Sequence, residues 1–254
     1  MFIAVVDDKT LVRNLEDLTL DELNNLQKII AEKIENALAQ KKVIELELDK
    51  LFETQMAEME KLNFSEEIIG LFRSKKDALL ERACLIHKGN DDIIPFIPVI
   101  STDYVSFKDQ FHKIAAPLAN LGDICDTFDM FFHNEESAQD ISESKSGVYF
   151  LLNVGLPNYG TPITDPRTIK EVTDDYGYKI LNHAETLVLA HFKKDIFEQN
   201  EKILIPGIRS KYGECACIER GRDFHFRISF IDSINPENSD LDYEFCLAVC
   251  EERL

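Results

Sequence analysis

The sequence predicts an α+β chain: a long, coiled-coil-like N-terminal helix followed by an α+β domain with a mainly antiparallel sheet. Three observations predict it. No Gly occurs before Gly70 and no Pro before Pro95, and Leu20 to Leu62 is built mostly from Leu, Ile, Glu, Lys, Gln and Ala, all good helix formers. Composition then changes after Asp92, where Ile93–Ile100 (IIPFIPVI) and Gly147–Val154 (GVYFLLNV) read as buried extended segments. Finally, Asp223 to Asp232 alternates Phe224, Phe226, Ile228 and Phe230 with His225, Arg227, Ser229 and Ile231, the pattern of a half-buried antiparallel strand.

The chain opens on IAVVDD (Ile3–Asp8), which looks like the acidic start of a two-component receiver domain. That fold needs alternating strands and helices next, whereas a long helix follows, so a short strand or ordered tail with two solvated acids is the expected form. Thr19 stands as the N-cap of the long helix, with Glu22 completing a capping box and Leu18 facing Leu23 as a staple. Unbroken, that helix runs roughly 65 Å at 1.5 Å per residue. Leu23, Leu26, Ile30, Ile34, Ala37, Ile44, Leu48 and Leu51 trace a seam with a stutter around Ile34, and Lys41 and Gln55 occupy seam positions. A helix of this length needs a partner: a second copy of the chain, or the chain's own second domain. The first is the expectation, with Leu23, Leu26, Ile30, Ile34, Ile44, Leu48 and Leu51 as oligomerisation residues.

Asn63-Phe64-Ser65 interrupts the helix, and Ser65 followed by Glu66 and Glu67 caps a second one. Lys75 to Ile86 is helical again, and Lys88-Gly89-Asn90-Asp91-Asp92 reads as a turn. The expected organisation is therefore an oligomerisation segment at 1–62, a helical connector at 63–92 and an α+β domain at 93–254. Within the last, Pro95 and Pro98 place IIPFIPVI at a sheet edge or bulge. Phe107–Leu121 is a candidate helix, Asn134–Ser146 a polar surface loop, and Leu181–Phe197 an amphipathic helix with Asn182 as cap. Gly213–Glu219, Asp223–Asp232 and Leu241–Val249 follow as strands.

A formal charge of −19 repels phosphate backbones, since nucleic-acid affinity comes chiefly from Lys and Arg displacing counterions. It disfavours an anionic membrane surface for the same reason. No apolar run approaches the roughly 20 residues that span a bilayer, and MFIAVV lacks the basic region of a signal peptide. With six cysteines and no export signal, an acidic cytoplasmic protein with reduced thiols is expected, with no nucleic-acid or membrane partner.

Chemistry-bearing patterns are sparse. Cys215-Ala-Cys217 and Cys246…Cys250 match no zinc ribbon or knuckle, and on strands their pairs lie about 7 and 13 Å apart; small core residues are expected, and no metal or cofactor. His183 and His191 are two turns apart on one helix, and His112 and His133 stand alone. Phosphate-binding glycine loops and the Gly-x-Ser-x-Gly elbow are absent. The most motif-like stretch is Ile205-Pro-Gly-Ile-Arg-Ser-Lys-Tyr-Gly213, read as a Gly-rich turn. Arg209, Ser210, Tyr212 and Gly213 there can present a cation and hydroxyls to an anionic or planar ligand, or Arg209 can pair with a nearby acid.

MEKLNFSEEIIG, IIPFIPVI, GVYFLLNV, NHAETLVLAHFKKDIF and IPGIRSKYGECACIE together resemble, at motif level over about residues 56–250, an uncharacterised bacterial domain-of-unknown-function family. In that family a two-helix entry leads to a PF-V strand, a Y-L-L-V strand, a P-L-T-x-x-E-G helix and a GSRyGs turn. The family's Gly-Ser-Arg is Gly207-Ile208-Arg209 here, and its helix Gly is Thr186 while Glu185 is kept. The resemblance implies a fold and no activity; Arg209, Tyr212 and Gly213 match its turn. Separately, LEDLTLDELNNLQKIIAEKIENA with EKLNFSEEIIG is similar to the oligomerisation helix of histone-like nucleoid-structuring proteins, whose basic DNA-binding tail has no counterpart here.

The functional expectation is a self-associating binding or scaffolding protein, first of all a homodimer and with a protein partner possible. The alternative is an enzyme of unknown class with a ligand site at 207–213.

Overall fold

The computed structural model describes residues 4–6, 9–11, 19–86, 93–115, 138–140, 145–155, 173, 177–193, 202–210, 215–220, 226–231, 246–247 and 249–254. It is α+β, with a long N-terminal helix and mainly antiparallel strand pairing. Two compact units divide it, Met1–Lys50 and Leu51–Leu254.

In the first unit β1 (Ala4–Val6) and β2 (Lys9–Leu11) form an antiparallel hairpin. The short strand expected at IAVVDD is there, and its partner is a hairpin arm rather than the parallel neighbour a receiver domain requires. Helix α1 (Leu20–Lys61) follows. The capping box closes at its start: the Thr19 backbone N–H donates to Glu22 Oε2 at 2.8 Å, and the Glu22 N–H to Thr19 Oγ1 at 3.3 Å. With neither Gly nor Pro in it, nothing in the sequence stops the helix before Asn63, which takes a left-handed φ of 57°.

The second unit takes up α1 from Leu51. Ser65 accepts from the Ile68 N–H and caps α2 (Glu66–Ser74), which runs into α3 (Lys76–Ile86). Strand β3 (Ile93–Ile100) pairs antiparallel with β5 (Val148–Gly155) over nearly its whole length. Between them lies α4 (Phe107–Ala115), tied to the preceding turn by buried Gln110, whose Nε2 donates to the carbonyls of Ile100 (3.0 Å) and Val105 (2.8 Å).

On its other side β5 receives β11 (Val249–Cys250) and β12 (Glu252–Arg253), both antiparallel, and β6 (Lys179–Ile180) lies beyond β11. Every residue of β5 is buried, as expected of a central strand covered on both faces. Successive strand residues point to opposite faces. Phe150 accordingly meets Phe52 of α1 and Phe72 of α2, at centroid distances of 6.0 and 5.2 Å. Tyr149 instead reaches α5 (His183–Phe192). Among the described residues β3 is a sheet edge, in keeping with its prolines, and Gln55 covers it by donating to the Phe96 carbonyl at 2.7 Å.

A second sheet holds β7 (Lys202–Ser210), β8 (Cys215–Arg220) and β9 (Phe226–Ile231) in antiparallel order. On the far edge of β7 are β10 (Cys246–Leu247), parallel to it, and β4 (Ala138–Asp140), antiparallel. Two sequence expectations are corrected here. Residues 207–210 belong to strand β7 rather than a turn; the register shifts between Ile205 and Arg209, and this irregularity accommodates Pro206 and Gly207. Three residues of the expected loop Asn134–Ser146 form β4, paired with that same stretch.

Candidate functional site

Helix α1 supplies the most unusual surface. No residue from Thr19 to Glu47 is buried. Ile30 and Ile34 are 48% and 54% exposed, and Leu23, Leu38, Val43 and Leu46 are exposed as well; Leu26 and Ile44 are half-buried. At 100° per residue, Leu23, Leu26, Ile30, Ile34, Ala37 and Ile44 fall within an arc of about 80°. They form one apolar stripe along a helix whose remaining surface is mostly charged or amidated. Leu48 is already 2% exposed in the single chain and Leu51 is half-buried, so the open stripe runs from Leu23 to Ile44.

The second unit carries a buried charged network. Asn182 caps α5 by accepting from the Glu185 N–H at 2.9 Å, and Glu185 closes the box by accepting from the Asn182 N–H at 2.8 Å. The same carboxylate takes two hydrogen bonds from Arg253 of β12, Nε to Oε1 at 2.6 Å and Nη2 to Oε2 at 2.8 Å, and one from the Tyr149 hydroxyl at 3.0 Å. Arg253 also donates to the Ile180 carbonyl at 2.7 Å. Burial pulls the guanidinium downward, but the hydrogen bonds and charge of Glu185 more than offset it. Burial and the Glu185 charge hold the Tyr149 phenol well above its ordinary value, so it remains a donor. Burial likewise pushes the nearby Cys250 thiol up to about 12, far from nucleophilic at neutral pH. Glu185, Arg253 and Tyr149 thus clasp α5, β12 and β5 together, and neither the protonated phenol nor the nearby thiol is reactive at neutral pH.

His191 is the one described histidine in a perturbed setting. Its side chain is 8% exposed, its Nε2 lies 3.6 Å from Glu58 Oε1, and its Nδ1 is buried without a hydrogen-bond partner. Burial lowers its pKa and Glu58 works against that. Glu58 is shared with Lys61 at 2.8 Å. At the α1–α2–α3 junction Glu53 accepts from Arg73 at 2.8 Å and Lys76 at 2.7 Å, which hold its carboxyl below the usual range.

The sequence-derived ligand residues are only partly placed. Arg209 pairs in register with Gln139 of β4 and Cys215 of β8, and Ser210 with Ala138. Tyr212 and Gly213 lie outside the described residues, as does His133. Cys217 and Cys250 are both buried but belong to different sheets, and Cys84, Cys217 and Cys250 form no disulfide. His112 is exposed on α4. Among the described residues no group of three His, Cys, Asp or Glu side chains could hold a metal ion, and no helix is long and apolar enough to cross a membrane. Sequence reasoning missed the Glu185–Arg253 clasp. The available signal was a Glu at the third position after a capping Asn, inside an otherwise apolar helix.

Compared with known proteins, the chain matches no family model, no curated protein and no solved structure.

Proposed function

We propose that this chain is a binding or scaffolding protein that associates with a second copy of itself through α1. The supporting observation is the exposed apolar stripe from Leu23 to Ile44, interrupted by Lys41, on a helical stretch in which no residue is buried. Helices in water owe most of their stability to packing of an apolar face rather than to intrinsic propensity. Fully burying an Ile or Leu side chain contributes about 1.5–3 kcal/mol, and the stripe carries several that are open. The buried polar groups of the second unit support a structural rather than a catalytic role. The reading places the protein in a reducing compartment such as the cytoplasm, where Cys250 stays a thiol.

Size-exclusion chromatography with light scattering, and native mass spectrometry, on the full chain test this. The expected result is a dimer that Ile30→Glu with Ile34→Glu converts to monomer while helical circular dichroism is largely kept. Removal of residues 1–46 has the same expected effect and leaves Phe52, Gln55, Met56 and Met59 in the core of the second unit. A wild-type chain that stays monomeric at tens of micromolar overturns the reading.

A further inference from the structure

Resting on that self-association, we propose that the two copies of α1 pair in antiparallel orientation, the Leu23 end of one beside the Ile44 end of the other. Between Leu20 and Leu46, Lys41 is the one charged residue inside the arc of the apolar stripe, at 100° per residue.

A parallel, in-register pair sets Lys41 against its own copy on the contact line, where both ammonium groups lose water and repel. It also sets Glu22, at the rim of the stripe, level with Glu22 of the other copy. An antiparallel pair aligned over the open stripe separates these like charges. Lys41 then lies opposite Leu26, one turn from Glu22, so its alkyl stem covers apolar surface while its ammonium meets an acid. Two-fold symmetry makes this contact twice. Lys41 has little to give up, since its present partner is Glu45 at 3.6 Å with both side chains more than half exposed. Lys33, at the rim of the stripe, approaches its own copy near the centre of an antiparallel pair. That repulsion is solvent-screened and weaker than one on the contact line. Antiparallel alignment also opposes the two helix dipoles.

The test mixes isotopically labelled and unlabelled full-length protein, treats it with an amine-reactive cross-linker and reads links between copies by mass spectrometry. Along one helix Lys28 and Lys50 are about 33 Å apart, and so they remain between copies in a parallel pair; antiparallel pairing brings Lys28 of one copy to about 17 Å along the axis from Lys50 of the other. With a linker that reaches the shorter span and not the longer, mixed-isotope Lys28–Lys50 links without Lys50–Lys50 links are expected. Lys50–Lys50 links, or a dimer by mass without Lys28–Lys50 links, overturn the orientation and leave self-association standing. A monomer by native mass overturns both.

Discussion

Glu185 and Arg253, 68 residues apart in sequence, form a bidentate ion pair with side chains 0% and 6% exposed. One sits at the N-terminus of α5 and the other on β12, so the pair ties the helix to the strand that completes the sheet beside β5. Every oxygen of the carboxylate is engaged, with the Asn182 N–H and the Tyr149 hydroxyl as further donors.

Truncating one partner strands the other charge in the interior. Glu185→Ala and Arg253→Ala are each expected to cost about 3–5 kcal/mol, with the lost capping box contributing about 1 kcal/mol of the Glu185 loss. Glu185→Leu combined with Arg253→Met removes both charges and is expected to cost less than either single truncation. Urea denaturation of the four proteins reads this directly. Equal costs for the double and the singles would show that the pair contributes by shape rather than charge.

The Glu53 cluster gives the opposite expectation. Its three ions are 26–44% exposed, so geometry as good as that of the buried pair yields much less. Glu53→Gln is expected to cost below about 1 kcal/mol, most of it vanishing in molar salt as screening shortens the range of charge interactions. Because the carboxyl is held below its ordinary value, its contribution is present above the unfolded-state pKa and is lost as pH falls through the folded one. A cost that salt leaves unchanged would point to packing instead.

His191 acts at higher pH. Its folded-state pKa is lowered by burial, so between that value and the unfolded value of about 6.5 the unfolded chain binds more protons. Stability therefore rises with pH through this window and is lost as pH falls from neutrality. The charged groups facing the ring are Glu58 and, through it, Lys61. Replacing the ring by His191→Gln is expected to flatten the pH dependence of unfolding free energy between pH 7 and 5 and to leave the carboxylate-driven loss below pH 4.5. An unchanged slope would assign the acid sensitivity elsewhere.

What was legible in the sequence was what local pattern and local chemistry encode. The Thr19–Glu22 box, the Ser65 and Asn182 caps, the prolines of the edge strand β3 and the alternation behind β9 all act within a few residues. Pairings across long separations were not legible. Strand β4 is three residues in a polar run that extend because β7 offers them an edge, and β7 itself passes through Pro206 and Gly207, residues that in isolation signal a turn. Division of the strands between two sheets follows from the same non-local pairing. Of the candidate site, the stripe on α1 was readable because it repeats along one element. Arg253 was not, because its significance depends on an acid presented by another helix.

Asn153 offers the sharpest test of the sheet built on β5. It sits in β5 at a left-handed φ of 48°, opposite the position of Pro95, where the β3 ladder skips a pair. Its side-chain amide donates to the Ile86 carbonyl at 2.8 Å and to the Glu251 carboxylate. Asn tolerates this conformation better than other residues with a Cβ. Asn153→Gly keeps the backbone and loses the hydrogen bonds, for an expected cost of about 1–3 kcal/mol. Asn153→Ala loses both and is expected to cost about 1–2 kcal/mol more. Asn153→Asp places a carboxylate against a carbonyl and the Glu251 carboxylate, two acceptors where a donor stood, and is expected to cost about 3 kcal/mol at neutral pH. Protonation restores a donor, so the deficit relative to wild type is expected to shrink as pH drops toward 4. If Asn153→Ala proves no worse than Asn153→Gly, the left-handed backbone is not what this position demands, and the two hydrogen bonds alone account for the asparagine.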